Sequence, residues 1–119
     1  MKLRIRGNTL RFRLTQGEVE SLAQGRAVQE SVELGGEPFV YEVIPEEKAP
    51  ALTARSSAWR LSLVMPAGMA REWHGSQQVG HEGETATGCK LLIEKDFACI
   101  QPRGPGEDAD AFPNPGTTC

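Results

Sequence analysis

The sequence predicts an α+β domain: an antiparallel sheet or partly open barrel of hairpins, with one short helix after the first hairpin. Three observations point there. Residues 1–14, "MKLRIRGNTLRFRL", alternate apolar and cationic side chains on both sides of Gly7-Asn8. Thr15 and Glu18 then stand three residues apart at the head of a short stretch with helical spacing, the pattern of a capping box. Strands and long helices do not alternate along the chain, as a parallel β/α fold would require.

The first hairpin is the most explicit element. Period-two alternation means strand, and Gly7-Asn8 is a two-residue turn that tolerates positive φ. That turn fixes the register: Arg6 opposite Thr9, Ile5 opposite Leu10, Arg4 opposite Arg11, Leu3 opposite Phe12, Lys2 opposite Arg13. Apolar residues then meet apolar residues on one face, and the cations gather on the other. A slip of one residue would undo both. In the helix that follows, Val19, Leu22 and Ala23 share a face and Gly25 ends it.

A second hairpin runs from Val28, Val32 and Leu34 through Gly35-Gly36 to Phe39, Tyr41 and Val43. Its register pairs Val32 with Phe39 and Val28 with Val43. "LTARSSAWRLSLVMP" reads as a third pair, in which Trp59, Leu61, Leu63 and Met65 alternate with Arg60, Ser62 and Val64. Met69 and Trp73, four apart, suggest a helical turn. "SQQVGHEGETATG" is polar and glycine-rich, a loop or weak strand, and "CKLLIEKDFACI" is the last strong strand. Residues 101–119 hold four of the eight prolines and read as an irregular C-terminal arm docked on the sheet of a single domain. Phe112 in "FPNP" serves as its apolar anchor, and the arm carries Glu107, Asp108 and Asp110 towards the cations. No repeat with a fixed solenoid period occurs.

With 119 residues, 39% apolar and 24% charged, the chain is long enough to hide about two-thirds of its unfolded surface. It holds no apolar run of the roughly 18 residues a membrane span needs. Lys2, Arg4 and Arg6 interrupt the start, so no secretory leader is read there. Three cysteines suit a reducing compartment better than a disulfide scaffold, and a cytoplasmic location is expected. Charge is divided unevenly: residues 1–26 carry six cations and two acids, net +4, leaving −7 for the rest of a chain whose total is −3. That balance argues against a nucleic-acid binder, as does Phe12, which points to the apolar face and leaves no base-stacking platform beside the cations.

Five cations on one side of a two-stranded ribbon repel one another. Either carboxylates of the chain itself interleave with them, or an external anion does. Arginine predominates, which suits bidentate recognition of carboxylate or phosphate. Arg4, Arg6, Arg11 and Arg13 are therefore the candidate ligand-binding residues, for an acidic protein or a small anion. Two other groups could carry chemistry. Cys99 and Cys119 with His74 and His81 offer metal-binding atoms, but no pair has the spacing of a structural zinc site, and no metal or other cofactor is expected. Cys89 reads as a small core residue. Glu94 and Asp96 fall on one strand face and could do acid–base work. The chain holds no P-loop, dinucleotide fingerprint or nucleophile elbow.

The opening "IRGNTLRFRLTQGEVESL" and the closing "LLIEKDFACIQPRGPGEDADAFPNPGTTC" together resemble a small uncharacterised bacterial family of this length. Its start follows K-x-R-I-x-G-N-x-x-R-x-R-L-T-x-x-E-V, and its end follows E-K-D-F-x-C, an acidic pair, F-P-N-P and a terminal Cys. The resemblance spans the chain. It implies no activity and assigns no site residue. The residues themselves favour a non-catalytic binding or regulatory module. The alternative is a small thiol- or metal-dependent enzyme using Cys99 or the Glu94/Asp96 pair, and a structural subunit pairing through a strand edge is a third reading.

Overall fold

The structure, a computed structural model, describes residues 1–97 together with Asp110 and Phe112. Eight strands and two helices follow in order: β1 (Lys2–Arg6), β2 (Thr9–Leu14), α1 (Gln16–Ala23), β3 (Val28–Val32), β4 (Phe39–Glu46), β5 (Thr53–Ser57), β6 (Arg60–Pro66), α2 (Ala67–His74), β7 (Gly80–Glu84) and β8 (Lys90–Lys95). They form two open four-stranded sheets. Sheet I has the order β1-β2-β8-β7, and sheet II has the order β3-β4-β6-β5.

The first hairpin has the register its turn dictates, from Lys2 opposite Arg13 to Arg6 opposite Thr9. Gly7 adopts φ +55°, as the tight turn demands. Leu10, Phe12 and Leu14 are buried on one side of β2, while Arg11 and Arg13 lie on the other. α1 begins with the full capping box. Thr15 Oγ1 accepts from the Glu18 N–H at 3.3 Å, and Glu18 Oε1 accepts from the Thr15 N–H at 2.9 Å. The second hairpin pairs Val32 with Phe39 and Val28 with Val43. Its ladder stops there, so residues 33–38 form a six-residue connection around Gly35 and Gly36, both at positive φ.

The α+β class holds, with two corrections. The sheets are mixed: β2 pairs with β8 in parallel, and so does β4 with β6. Each sheet is two antiparallel hairpins joined side by side along their inner strands, and neither closes into a barrel. A period-two pattern identifies a strand but not its distant neighbour. Secondly, the Met69/Trp73 turn is a complete helix, α2, with Ala67, Ala70 and Trp73 buried. The glycine-rich segment, a loop or weak strand in the sequence, contains a paired strand, β7. Its glycines answer to close packing: a Cβ on Gly80 would come within 2.2 Å of the Ile93 carbonyl oxygen.

The chain also consists of two topologically equivalent halves, β1-β2-α1-β3-β4 and β5-β6-α2-β7-β8. Each half gives its first hairpin to one sheet and its second hairpin to the other. A shift of 51 residues carries Lys2–Arg6 onto Thr53–Ser57 and the Lys2/Arg13 pairing onto Thr53/Val64. Core positions correspond: Phe12 with Leu63, Leu14 with Met65, Val19 with Ala70, Leu22 with Trp73, all buried. α1 and α2 lie against each other, and one apolar cluster takes side chains from both helices and both sheets. Neither half could bury its apolar faces alone. Few residues coincide under the shift (among them Arg4 with Arg55, Leu10 with Leu61 and Gly17 with Gly68), so apolar character repeats while identity does not.

Candidate anion-binding face

Pleating and register place three rows of side chains across the outer face of sheet I. One runs Lys2, Arg13, Glu94, Gly80. The next runs Arg4, Arg11, Leu92, Glu82, and the last Arg6, Thr9, Lys90, Glu84. The hairpin thus brings all four candidate arginines to one face, as its alternation requires.

Part of the charge is met from within. Glu94, on the neighbouring β8, lies 3.4 Å from Arg11 Nε and 3.8 Å from Arg13 Nε through one carboxylate oxygen. Lys2 Nζ lies 3.1 Å from the buried Asp96. Arg4 and Arg6 form no ion pair among the described residues, and both are exposed. With Thr9 and Arg11 they line an open concavity of about 140 Å³, a volume suited to a small oxyanion. Arg4 and Arg11 are direct cross-strand partners, so like charges oppose each other at its centre, a destabilising arrangement on a sheet. Thr9 brings a hydroxyl to the same site. The sequence alone marks it only as the residue after the turn.

Sheet II shows what the same architecture does without such a site. The equivalent row is Arg55, Ser62, Glu42, Gln29. Glu42 stands where sheet I has Leu92, and Ser62 where it has Arg11. The buried Glu42 accepts from Ser62 Oγ at 2.6 Å and from Arg60 at 2.7 Å. Arg55 pairs with Glu46 at 2.8 Å. Both arginines of that face have a carboxylate. A buried carboxylate needs this: without hydrogen-bonding partners its desolvation would be prohibitive.

The other candidates are dispersed. Glu94 and Asp96 are each committed to cations rather than to one another. Asp110 turns to α1 instead of the arginines: its carboxylate accepts from the Gly17 N–H at 3.0 Å and its carbonyl from the Gln16 N–H at 3.0 Å. Free N–H groups at a helix start favour an acid there. Phe112 packs against the core cluster, with its ring 5.7 Å from Phe97. Glu107, Asp108, Cys99 and Cys119 lie outside the described residues. Cys89 is a free thiol packed against the core. Among the described residues no three His, Cys, Asp or Glu side chains converge as a metal site would require. No helix among them is long and apolar enough to cross a membrane.

Two titratable groups sit between sheet I and α2. His81 packs edge-on against Trp73, ring centroids 5.6 Å apart. Its Nδ1 is 3.3 Å from the Gln78 side-chain amide, and its buried Nε2 has no partner among the described residues. Burial holds its pKa below the ordinary value. Glu72 pulls the other way, and Lys95 adds to the depression. Lys95 is itself buried. It donates to the Ser76 carbonyl at 2.8 Å and lies over the Phe112 ring, and desolvation lowers its pKa. His74 is exposed at the end of α2.

No curated protein and no solved structure matches the chain. A family model described as "Family of unknown function (DUF7009)" matches residues 1–116. The match takes in the arginine hairpin, both sheets and both helices, and the chain therefore belongs to this family of unknown function.

Proposed function

We propose that the chain is a non-catalytic binding module whose outer sheet I face recognises an oxyanion, either a small free anion or the carboxylates of an acidic partner. Arg4, Arg6 and Arg11 are its charged donors, with Arg13 and Thr9 beside them. One observation carries this reading. Arg4 and Arg6 lack a carboxylate among the described residues, whereas the equivalent sheet pairs Arg55 and Arg60. The fold does not need the cluster, because it is built a second time without one. Arginine forks suit carboxylate and phosphate oxygens, and an open face leaves them reachable. An odd number of cysteines and the free thiol of Cys89 support a reducing, cytoplasmic setting. Asp110 against α1 and Phe112 against the core support one domain that takes in both of these residues.

Inorganic phosphate and a polyglutamate peptide, titrated separately and followed by amide NMR, test the reading. Saturable shifts confined to β1 and β2, and lost in the double variant Arg4→Gln/Arg6→Gln, are expected from at least one of them. Shifts that persist in that variant, or no saturable shift with either anion, would overturn it.

A further inference from the structure

We propose that the acidic partner of the arginine hairpin is a second copy of this chain: the β1–β2 tip of one molecule docks head to tail on the exposed apolar end of sheet II of the next. The proposal rests on the anion-binding reading above and names the source of the anion.

The docking surface lies where the strands of sheet II outrun their cover. Val32 faces the core side opposite Phe39, and Leu34 follows it in the connection that leaves this end of the sheet. Leu34 is 68% exposed and Val32 39%. Trp59 joins them across the sheet, since the Val40 N–H donates to the Trp59 carbonyl at 2.8 Å. Its indole is 54% exposed. Trp59 is also the one non-glycine among the described residues at positive φ, +63°, a conformation that disfavours bulky side chains. Asparagine or glycine would hold that turn without strain, so the turn alone does not explain a tryptophan there. An exposed tryptophan at the same end of the sheet as Val32 and Leu34 has the character of an interface anchor. The surrounding acids are unmatched: Glu30, Glu33 and Glu37 form no ion pair among the described residues.

The opposite set of properties sits at the tip of sheet I. Ile5 is 60% exposed, the second most exposed large apolar side chain described. Arg4 and Arg6, without carboxylates among the described residues, stand on the other face of β1, and because β1 is an edge strand all three reach its open edge. An edge that carries one apolar residue and two arginines complements an apolar end that carries Glu30, Glu33 and Glu37. The two surfaces belong to different sheets of one molecule, so docking them joins two copies by unlike faces. Such a tip-in-shelf contact is small, and the association is weak and salt-sensitive.

Sedimentation velocity of the full chain tests this. The weight-average sedimentation coefficient should rise with concentration up to about 1 mM, which spans weak affinities, and the rise should shrink as salt is added. Trp59→Asn/Leu34→Ser keeps the left-handed turn but removes the shelf. Ile5→Thr/Arg6→Glu keeps a β-branched strand residue but removes the tip. Each variant alone should stay monomeric. Mixed together, they should form a 1:1 dimer that grows no further, because one keeps a tip and the other a shelf. Folding of each variant is checked by its NMR spectrum. A coefficient independent of concentration, or two variants that fail to associate when mixed, overturns the proposal. If phosphate still shifts Arg4 and Arg6 in that case, the anion-binding reading stands without it. If the copies associate while neither anion shifts the hairpin, that reading fails instead, and so does the role assigned here to the arginines.

Discussion

The two sheets have the same topology and nearly opposite surfaces. On sheet II a buried glutamate at the second strand holds one arginine and one serine, and an outer glutamate holds a second arginine. On sheet I the place of that buried glutamate is taken by Leu92, the serine by Arg11, and Arg4 is left facing Arg11. The difference separates what the architecture demands from what it carries. Both sheets need the inward rows of Phe12 and Leu63, Leu14 and Met65. Among the described residues only sheet I carries cations without a carboxylate, so the fold is built on sheet II without them.

Exchanging equivalent residues sharpens the contrast. The largest effect is expected from Glu42→Leu, which gives sheet II the residue of sheet I. It strips Arg60 and the buried Ser62 of their acceptor and should cost about 1–3 kcal/mol in a denaturant titration. A loss indistinguishable from zero would mean the pairing is ornamental. Next is Thr15→Ala, which breaks the capping box of α1 and should cost about 1 kcal/mol. α2 has no side-chain cap to lose, because its N-cap is Pro66.

His81 comes third. Its sheet II equivalent is Val28, opposite Val43 as His81 is opposite Ile93. The folded state depresses the His81 pKa, so the unfolded chain takes up a proton more readily. The stability His81 contributes is complete above its unfolded pKa of about 6.5 and is lost as pH falls below it. Melting temperatures between pH 7.5 and 5 should therefore fall less steeply in His81→Val than in the native chain. Parallel slopes would assign the acid sensitivity elsewhere. The smallest effect is expected from Arg4→Gln: a stability change within about 0.5 kcal/mol, in the stabilising direction because a like-charge pair is relieved. Arg60→Gln, which frees the buried Glu42, should be destabilising. If both have the same sign, the distinction between the two faces fails.

Much of this was legible in the sequence where interactions are local. The Gly7-Asn8 turn set the register of five residue pairs, and Thr15 with Glu18 announced the helix start, because both signals act over a few residues. The candidate arginines follow from that register alone. What the sequence concealed was non-local. The parallel pairing of β2 with β8 depends on residues some 80 positions apart, and β7 has little strand propensity because Gly80 and Gly83 are shaped by what packs on them. The division of the five cations into matched and free was equally hidden. Glu94 and Asp96 looked like a carboxylate pair until β8 was seen to lie beside β2. The equivalence of the two halves is invisible in the letters because they share apolar positions rather than identities.

The order of strands in the sheets also governs when each can assemble. All four strands of sheet II lie within residues 28–66, whereas sheet I needs residues 2–95. On a chain emerging from the ribosome, sheet II can complete its ladders while β7 and β8 are still unmade. The arginine hairpin exists from the outset but stays without Glu94 until the last strand arrives. Closing so long a loop is slow compared with forming a hairpin. The cationic ribbon is thus made well before the strand that lies beside it in the sheet, and during that interval its charge is available to whatever anionic surface lies nearby.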